Sequence, residues 1–181
     1  QILNHAVKFR RMYAGKLFCP VIIRAPMGGY RGYGATHSQS LEKFFLGVPG
    51  LAVVACDPFR DQSLIWERML RLQTPCLYVE NKLLYAQPMT FLQDGKVGIF
   101  YAKTTESFFP TLSMQMVPWG QSPDVIILSY GGSAPMGVEV AKRLFVEDEL
   151  IARVVLPSLL SPLPQADLLD SIADCRKVMV L

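Results

Sequence analysis

From Gln1 to about Gly15, the apolar residues Ile2, Leu3, Ala6, Val7, Phe9, Met12 and Tyr13 recur at helical spacing, with Lys8, Arg10 and Arg11 between them. The pattern predicts an amphipathic helix. Leu17 to Arg24 is a short apolar run, of the kind found in buried parallel strands, and it leads into the glycine-rich stretch Ala25 to His37. A helix is expected from about Ser40. Pro49-Gly50 punctuates the chain, Leu51 to Ala55 reads as a second strand, and Asp57-Pro58 has the cap and first-turn chemistry of a helix running to about Leu72. Ile65, Met69 and Leu72 fall on one face of that helix, and Cys76 to Glu80 makes a third strand. Strands alternating with helices across short joints predict a parallel sheet.

Residues 83–122 break this rhythm with Pro, Gly, Ser, Thr and aromatics, and Asp94-Gly95 suits a tight hairpin turn. The alternation resumes at Asp124. Strand Val125 to Tyr130, the turn Gly131-Gly132-Ser133, a helix carrying Val138, Ala141 and Leu144, strand Ile151 to Leu156, a helix near Ala166 to Ala173 and strand Lys177 to Leu181 follow in order. A second α/β unit is predicted, ending on an open sheet edge.

Composition narrows the function classes. A mean hydropathy of +0.27 with 18% charged residues is apolar for a solitary domain of this size, so some surface is expected to meet a partner. Net charge is +3 with the basic residues scattered, which gives no phosphate-tracking stripe for nucleic acid. No apolar run reaches the roughly 18 residues of a membrane span. Cys19, Cys56, Cys76 and Cys175 are far apart with no Cys-x-x-Cys pair, which favours free thiols and a reducing cytoplasm. The opening within a helical pattern, without Met or signal-peptide grammar, predicts a piece of a longer chain.

The stretch with most chemistry is Pro20 to Ser40, a strand that empties into a glycine-dense loop carrying His37. Ligands of α/β sheets sit beyond such strand ends. The spacing of Gly28, Gly29, Gly32 and Gly34 fits neither Gly-x-Gly-x-x-Gly nor a phosphate loop. From spacing alone, His37 is either a loop side chain satisfied by nearby backbone or an imidazole placed to donate a hydrogen bond or move a proton. Ser38 and Ser40 read as helix caps, Glu80 as a strand-terminal acid paired with a surface cation, and His5 as a helix-surface residue. Gly131-Gly132-Ser133 fits either an anion cradle or a tight strand-to-helix turn.

Taken together, Ile22 to Pro26, Gly32-Tyr-Gly-Ala-Thr-His-Ser-Gln-Ser40, Pro49 to Val54, Asp61, Pro75 and Glu80-Asn-Lys-Leu-Leu-Tyr85 resemble the beta subunit of thiamine-diphosphate-dependent 2-oxo acid dehydrogenases, the pyruvate, branched-chain and acetoin enzymes. The resemblance runs ungapped from about Pro20 to Tyr85. From Asp124 the order of elements is similar to the first half of the family's C-terminal domain. Departures are Cys56 in place of a usual proline, residues 86–122, and the stretch Leu156 to Pro164, which lacks the family's arginine and acids.

The resemblance implies an α/β fold in which residues 1–85 form the C-terminal part of a transketolase-like pyrimidine-binding domain. Residues 86–122 would be a linker with a small β element, and 123–181 the N-terminal part of a transketolase C-terminal domain. It also implies decarboxylation of a 2-oxo acid and acylation of a lipoyl arm, with thiamine diphosphate and Mg²⁺ held in a full assembly. The implied partners are an alpha subunit or fused alpha-like domain, a second beta copy and the lipoyl-bearing dihydrolipoyl acyltransferase core. His37 matches the family's substrate-channel histidine and is the one catalytic residue carried over. No cofactor-binding or metal-binding residue is carried over, because the glutamate that activates the aminopyrimidine is expected upstream of Gln1. Two other readings stand beside this one: a non-catalytic assembly module of the same fold, and another transketolase-like enzyme.

Overall fold

A computed structural model describes residues 1–181 and contains two sheets. The first is built from β1 (Ile22–Met27), β2 (Ala52–Ala55) and β3 (Cys76–Asn81), parallel and in the order β1-β3-β2. All four residues of β2 and the first five of β3 are buried, as expected of strands covered on both faces. On one face Ile65 and Met69 of a helix, Gln62–Arg71, pack against Val54, Cys76 and Tyr78. On the other, Ile2, Val7 and Phe45 lean on Val53, Leu77 and Val79.

The first helix is shorter than its periodicity predicts: a 3-10 turn at Ala6–Lys8 and one α-turn, α1 (Phe9–Met12), neither with a buried residue. A helix this short is marginal without tertiary packing, and Ala14 and Gly15 end it at positive φ. The helix expected from Ser40 is a 3-10 turn over Glu42–Phe44, which takes no side-chain cap from Ser38 or Ser40. The helix α2 (Gln62–Arg71) starts later than Asp57-Pro58 predicts, and its cap is Asp61, which accepts the Ser63 N–H at 2.9 Å. Asp57 is engaged elsewhere: it accepts the Phe59 N–H at 2.9 Å and stands 2.6 Å from Arg60 Nε.

The second sheet is mixed. β7 (Val125–Leu128), β8 (Ala152–Pro157) and β10 (Val178–Val180) are parallel, in the order β10-β7-β8. Against β8 lie three antiparallel strands, β6 (Thr111–Gln115), β5 (Phe100–Thr104) and β4 (Lys96–Val97), all from the segment read as a linker with a small β element. Asp94 and Gly95 form the expected tight turn, both at positive φ, between the bridged residues Gln93 and Lys96. The extra strands form because Thr111–Gln115 is wholly buried against β8, where Leu112 and Met114 join Val154 and Leu156 in one core. Helix α3 (Ala134–Asp148) covers that core through Ala134 and Ala141, and α4 (Gln165–Ile172) covers Ile126 and Val155 through Leu168.

The chain then crosses between sheets. β9 (Leu159–Ser161) pairs antiparallel with β2, so the stretch that departs from the family pattern becomes the fourth strand of the first sheet. No helix is long and apolar enough to cross a membrane.

Candidate functional site

The parallel order β1-β3-β2 places the carboxyl ends of β1 and β3 side by side, with Met27 opposite Asn81. What leaves those ends makes the site. Beyond Met27 the loop turns at Gly28, with φ +96, and closes on itself where the Gly28 N–H donates to the Gln39 carbonyl at 2.9 Å. A loop whose ends meet in this way is held at its neck and free at its tip. His37 lies near the returning end and is exposed. It lines a cavity of about 620 Å³ floored by Ile23, Ala25, Met27 and Leu77 and walled by Tyr33, Leu41 and Phe45.

β3 supplies the opposite side. Asn81 accepts the Leu83 N–H at 2.9 Å and so caps the 3-10 turn Lys82–Ala86. This sends Lys82 back over the loop, where its ammonium donates to the His37 carbonyl and lies 5.1 Å from the centre of the Tyr33 ring. The cavity thus carries one imidazole and one ammonium on otherwise apolar or uncharged walls. An apolar pocket with few polar groups suits a small organic anion better than a nucleotide. No Asp or Glu lines it, and no three His, Cys, Asp or Glu side chains of the chain converge as a metal site.

Glu80 is buried and points away from chemistry. Arg24 donates to both its oxygens, at 2.7 and 3.0 Å, and the Tyr85 hydroxyl donates to one of them at 2.6 Å. That is the surface-cation pairing read for it. Burial and the bond to Glu80 push the Tyr85 hydroxyl up to about 12, while the same carboxylate raises Arg24. His5 is exposed and stands outside the cavity.

The turn Gly131-Gly132-Ser133 is a tight strand-to-helix turn packed against the Asn81 side chain. A Cβ on Gly132 would stand 2.0 Å from Asn81 Nδ2 and one on Gly28 2.6 Å from the same atom, so Asn81 is seated between the two glycines. Sequence reasoning missed Asn81 and Lys82 in these roles. The available signal was a polar Glu-Asn-Lys run emerging from an apolar strand, which marks a rim without saying what the rim touches.

The comparisons with known proteins bear on this geometry. No family model matches the chain. Over its whole length it is 31% identical to the acetoin:2,6-dichlorophenolindophenol oxidoreductase subunit beta of Cupriavidus necator, of which it covers 49%. It is 30% identical, again over its whole length, to the pyruvate dehydrogenase E1 component subunit beta of Gracilaria tenuistipitata, of which it covers 52%. The chain is a homologue of these beta subunits. It spans about half the length of the curated relatives it matches.

Among solved structures, transketolase from Pichia stipitis aligns with 98% of this beta-subunit homologue at TM-score 0.60 and 16% identity, using 26% of its own chain. A split-gene transketolase described as an inactive beta4 tetramer aligns with 90% at TM-score 0.57 and 19% identity, over 48% of its chain. At such identity these likenesses speak for the fold alone. The fold is mixed α/β with two sheets, parts of transketolase-like domains.

Proposed function

We propose that this chain is part of the beta subunit of a thiamine-diphosphate-dependent 2-oxo acid dehydrogenase component, with His37 in the channel where substrate reacts. The observation that carries the reading is the 31% identity to an acetoin oxidoreductase beta subunit along the whole chain. The exposed imidazole on an apolar cavity at the sheet's carboxyl rim supports it. In this reading residues 1–85 belong to the pyrimidine-binding domain and 123–181 to the C-terminal domain. The partners are an alpha subunit or fused alpha-like part, a second beta copy and a lipoyl-bearing acyltransferase, in a reducing compartment.

The residues present do not by themselves fit thiamine diphosphate with Mg²⁺. No carboxylate faces the cavity to activate an aminopyrimidine, and no metal-ligating cluster is available for the diphosphate's cation. The cofactor's contacts would then come from residues outside these 181. What this chain's own residues do is narrower. The Gly28–Gln39 neck and Lys82 hold the loop, and the His37 ring orients a carbonyl or carboxylate and passes a proton beside it.

The test joins this chain to its upstream residues, supplies the alpha partner and measures CO₂ release from pyruvate and from a branched-chain 2-oxo acid, and acetaldehyde release from acetoin, which has no carboxylate to lose. Release that depends on thiamine diphosphate from at least one 2-oxo acid is expected, and none from the 181 residues alone. Robust release by the 181-residue chain, or none by the restored assembly, contradicts the reading. A non-catalytic assembly module is the second reading, favoured by β9, where the stretch that departs from the family pattern serves as the edge strand of the first sheet. Assembly without any turnover is its signature.

A further inference from the structure

One buried carboxylate next to the cavity has no role in the reading above. Glu42 follows the His37 loop and is 7% exposed. Its Oε1 accepts the Tyr130 hydroxyl at 2.8 Å, whereas Oε2 is buried without a hydrogen-bond partner. A carboxylate taken out of water with a single donor is costly, so it stays only where that donor is held firmly. Burial, reinforced by the bond to Glu42, pushes the Tyr130 hydroxyl up to about 12, so it remains a donor at neutral pH.

Tyr130 sits at the exit of β7, directly before the turn Gly131–Ser133. The same turn reaches the other stem of the loop, because Gly132 and Gly28 share the Asn81 side chain. The loop is thus gripped at its departing stem through Asn81 and at its returning stem through Glu42. Leu41 and Phe45, on either side of Glu42, are walls of the cavity, so displacing Glu42 displaces the wall.

We propose that the strand-to-helix turn Tyr130–Gly132 of the second sheet clamps the His37 loop, with Tyr130 as the positioning residue acting through Glu42. The functional weight of the clamp rests on the role proposed for His37, but the clamp itself rests on geometry alone. Without the Tyr130 hydroxyl, the Glu42 carboxylate must find water, and the 3-10 turn Glu42–Phe44 opens to admit it. Glu42→Gln removes the charge and with it the larger part of the need for hydration.

The test is NMR on the 181-residue chain, whose two histidines make His5 an internal control for His37. Tyr130→Phe should accelerate exchange of the hydrogen-bonded Gly28, Phe44 and Phe45 amides at the two stems of the loop about tenfold and shift the His37 ring signals, while the His5 signals and the amides of α2 hold still. Adding Glu42→Gln to Tyr130→Phe should return loop exchange and the His37 signals towards those of the unaltered chain. Unchanged His37 signals and loop exchange in folded Tyr130→Phe would overturn the clamp. So would an acceleration spread evenly over every element, or one that Glu42→Gln fails to reverse. No turnover is measured, so a failure of the 2-oxo acid reading and a failure of the clamp are separate results.

Discussion

At the scale of single residues, Asn81 decides how closely the two sheets can approach. Its carbonyl oxygen caps the turn that delivers Lys82, and its amide sits where a Cβ on Gly28 or Gly132 would fall. Gly28 is also at φ +96, so two requirements meet there, whereas Gly132 answers to space alone. The cleaner substitution is therefore Gly132→Ala. Its Cβ would meet not only the Asn81 amide but also Cγ at 2.3 Å and Cβ at 2.8 Å, so a rotamer change cannot relieve it. We expect a loss of about 1–3 kcal/mol in urea unfolding, with part of it recovered by Asn81→Ala in the same chain, which removes the amide and Cγ and keeps Cβ. A Gly132→Ala chain as stable as the original would mean that the two units do not meet at Asn81.

At the scale of elements, the arginine on β8 ties helix α4 to its sheet. Arg153 is 4% exposed and donates to the Gln115 side chain at 3.0 Å, to the Ser171 carbonyl at 3.0 Å and to both Asp174 oxygens at 2.6 and 2.8 Å. The hydrogen bond from Arg153, aided by its charge, holds the Asp174 carboxyl below the usual carboxylate range. A carboxyl lowered by folding contributes stability that is complete above its unfolded value and is lost as pH falls through the folded one. Unfolding midpoints measured from neutral pH downward should drop below about pH 4, and Asp174→Asn should flatten that limb. An acid limb as steep in Asp174→Asn would assign it to other carboxylates. Asp174 is 43% exposed, so solvent screening keeps the effect modest.

The same scale shows what the sequence made legible. Apolar runs such as Leu51 to Ala55 and Cys76 to Glu80 named the buried parallel strands, since nothing but a covered sheet tolerates them. Thr-Leu-Ser-Met-Gln at Thr111–Gln115 hid β6, because its polar residues are buried too, Ser113 and Gln115 against partners distant in the chain. Ser113 bonds Ser171, and Gln115 bonds Arg153. The α2 boundary was misread for a similar reason: Asp57 looks like a cap until a buried Arg60 claims it. For the site, the glycine spacing and a lone histidine marked the loop, but which wall it faced depended on Lys82, Glu42 and Asn81, whose contacts are tertiary.

At the scale of the whole molecule, Arg60 joins the two sheets. It follows β2 of the first sheet, yet donates to the Pro110 carbonyl at 2.7 Å and to Leu156 of β8 at 2.6 Å, with the Asp57 carboxylate alongside. Removing one partner of such a buried pair strands the other, so Arg60→Met should cost about 3–5 kcal/mol. Denaturation followed by separate probes in each sheet, Trp66 on α2 and Trp119 beside Lys103 and Arg153, should lose coincidence in that variant and keep it in the unaltered chain. Coincident transitions in both would place the coupling elsewhere.

This joint matters to function because the cavity is walled by the first sheet and its loops, while Tyr130 and Gly132, which meet the two stems of its loop through Glu42 and Asn81, come from the second. A chain with so apolar a composition and a half-open site fits a subunit whose neighbour completes the pocket. On the proposed reading the His37 imidazole works on a 2-oxo acid in a pocket that a neighbour completes, and the rate of CO₂ release by the restored assembly carrying His37→Ala, compared with the unaltered one at saturating substrate, tests that role. A fall of about 10²-fold or more in kcat with assembly and cofactor binding intact is expected; an unchanged kcat would overturn it.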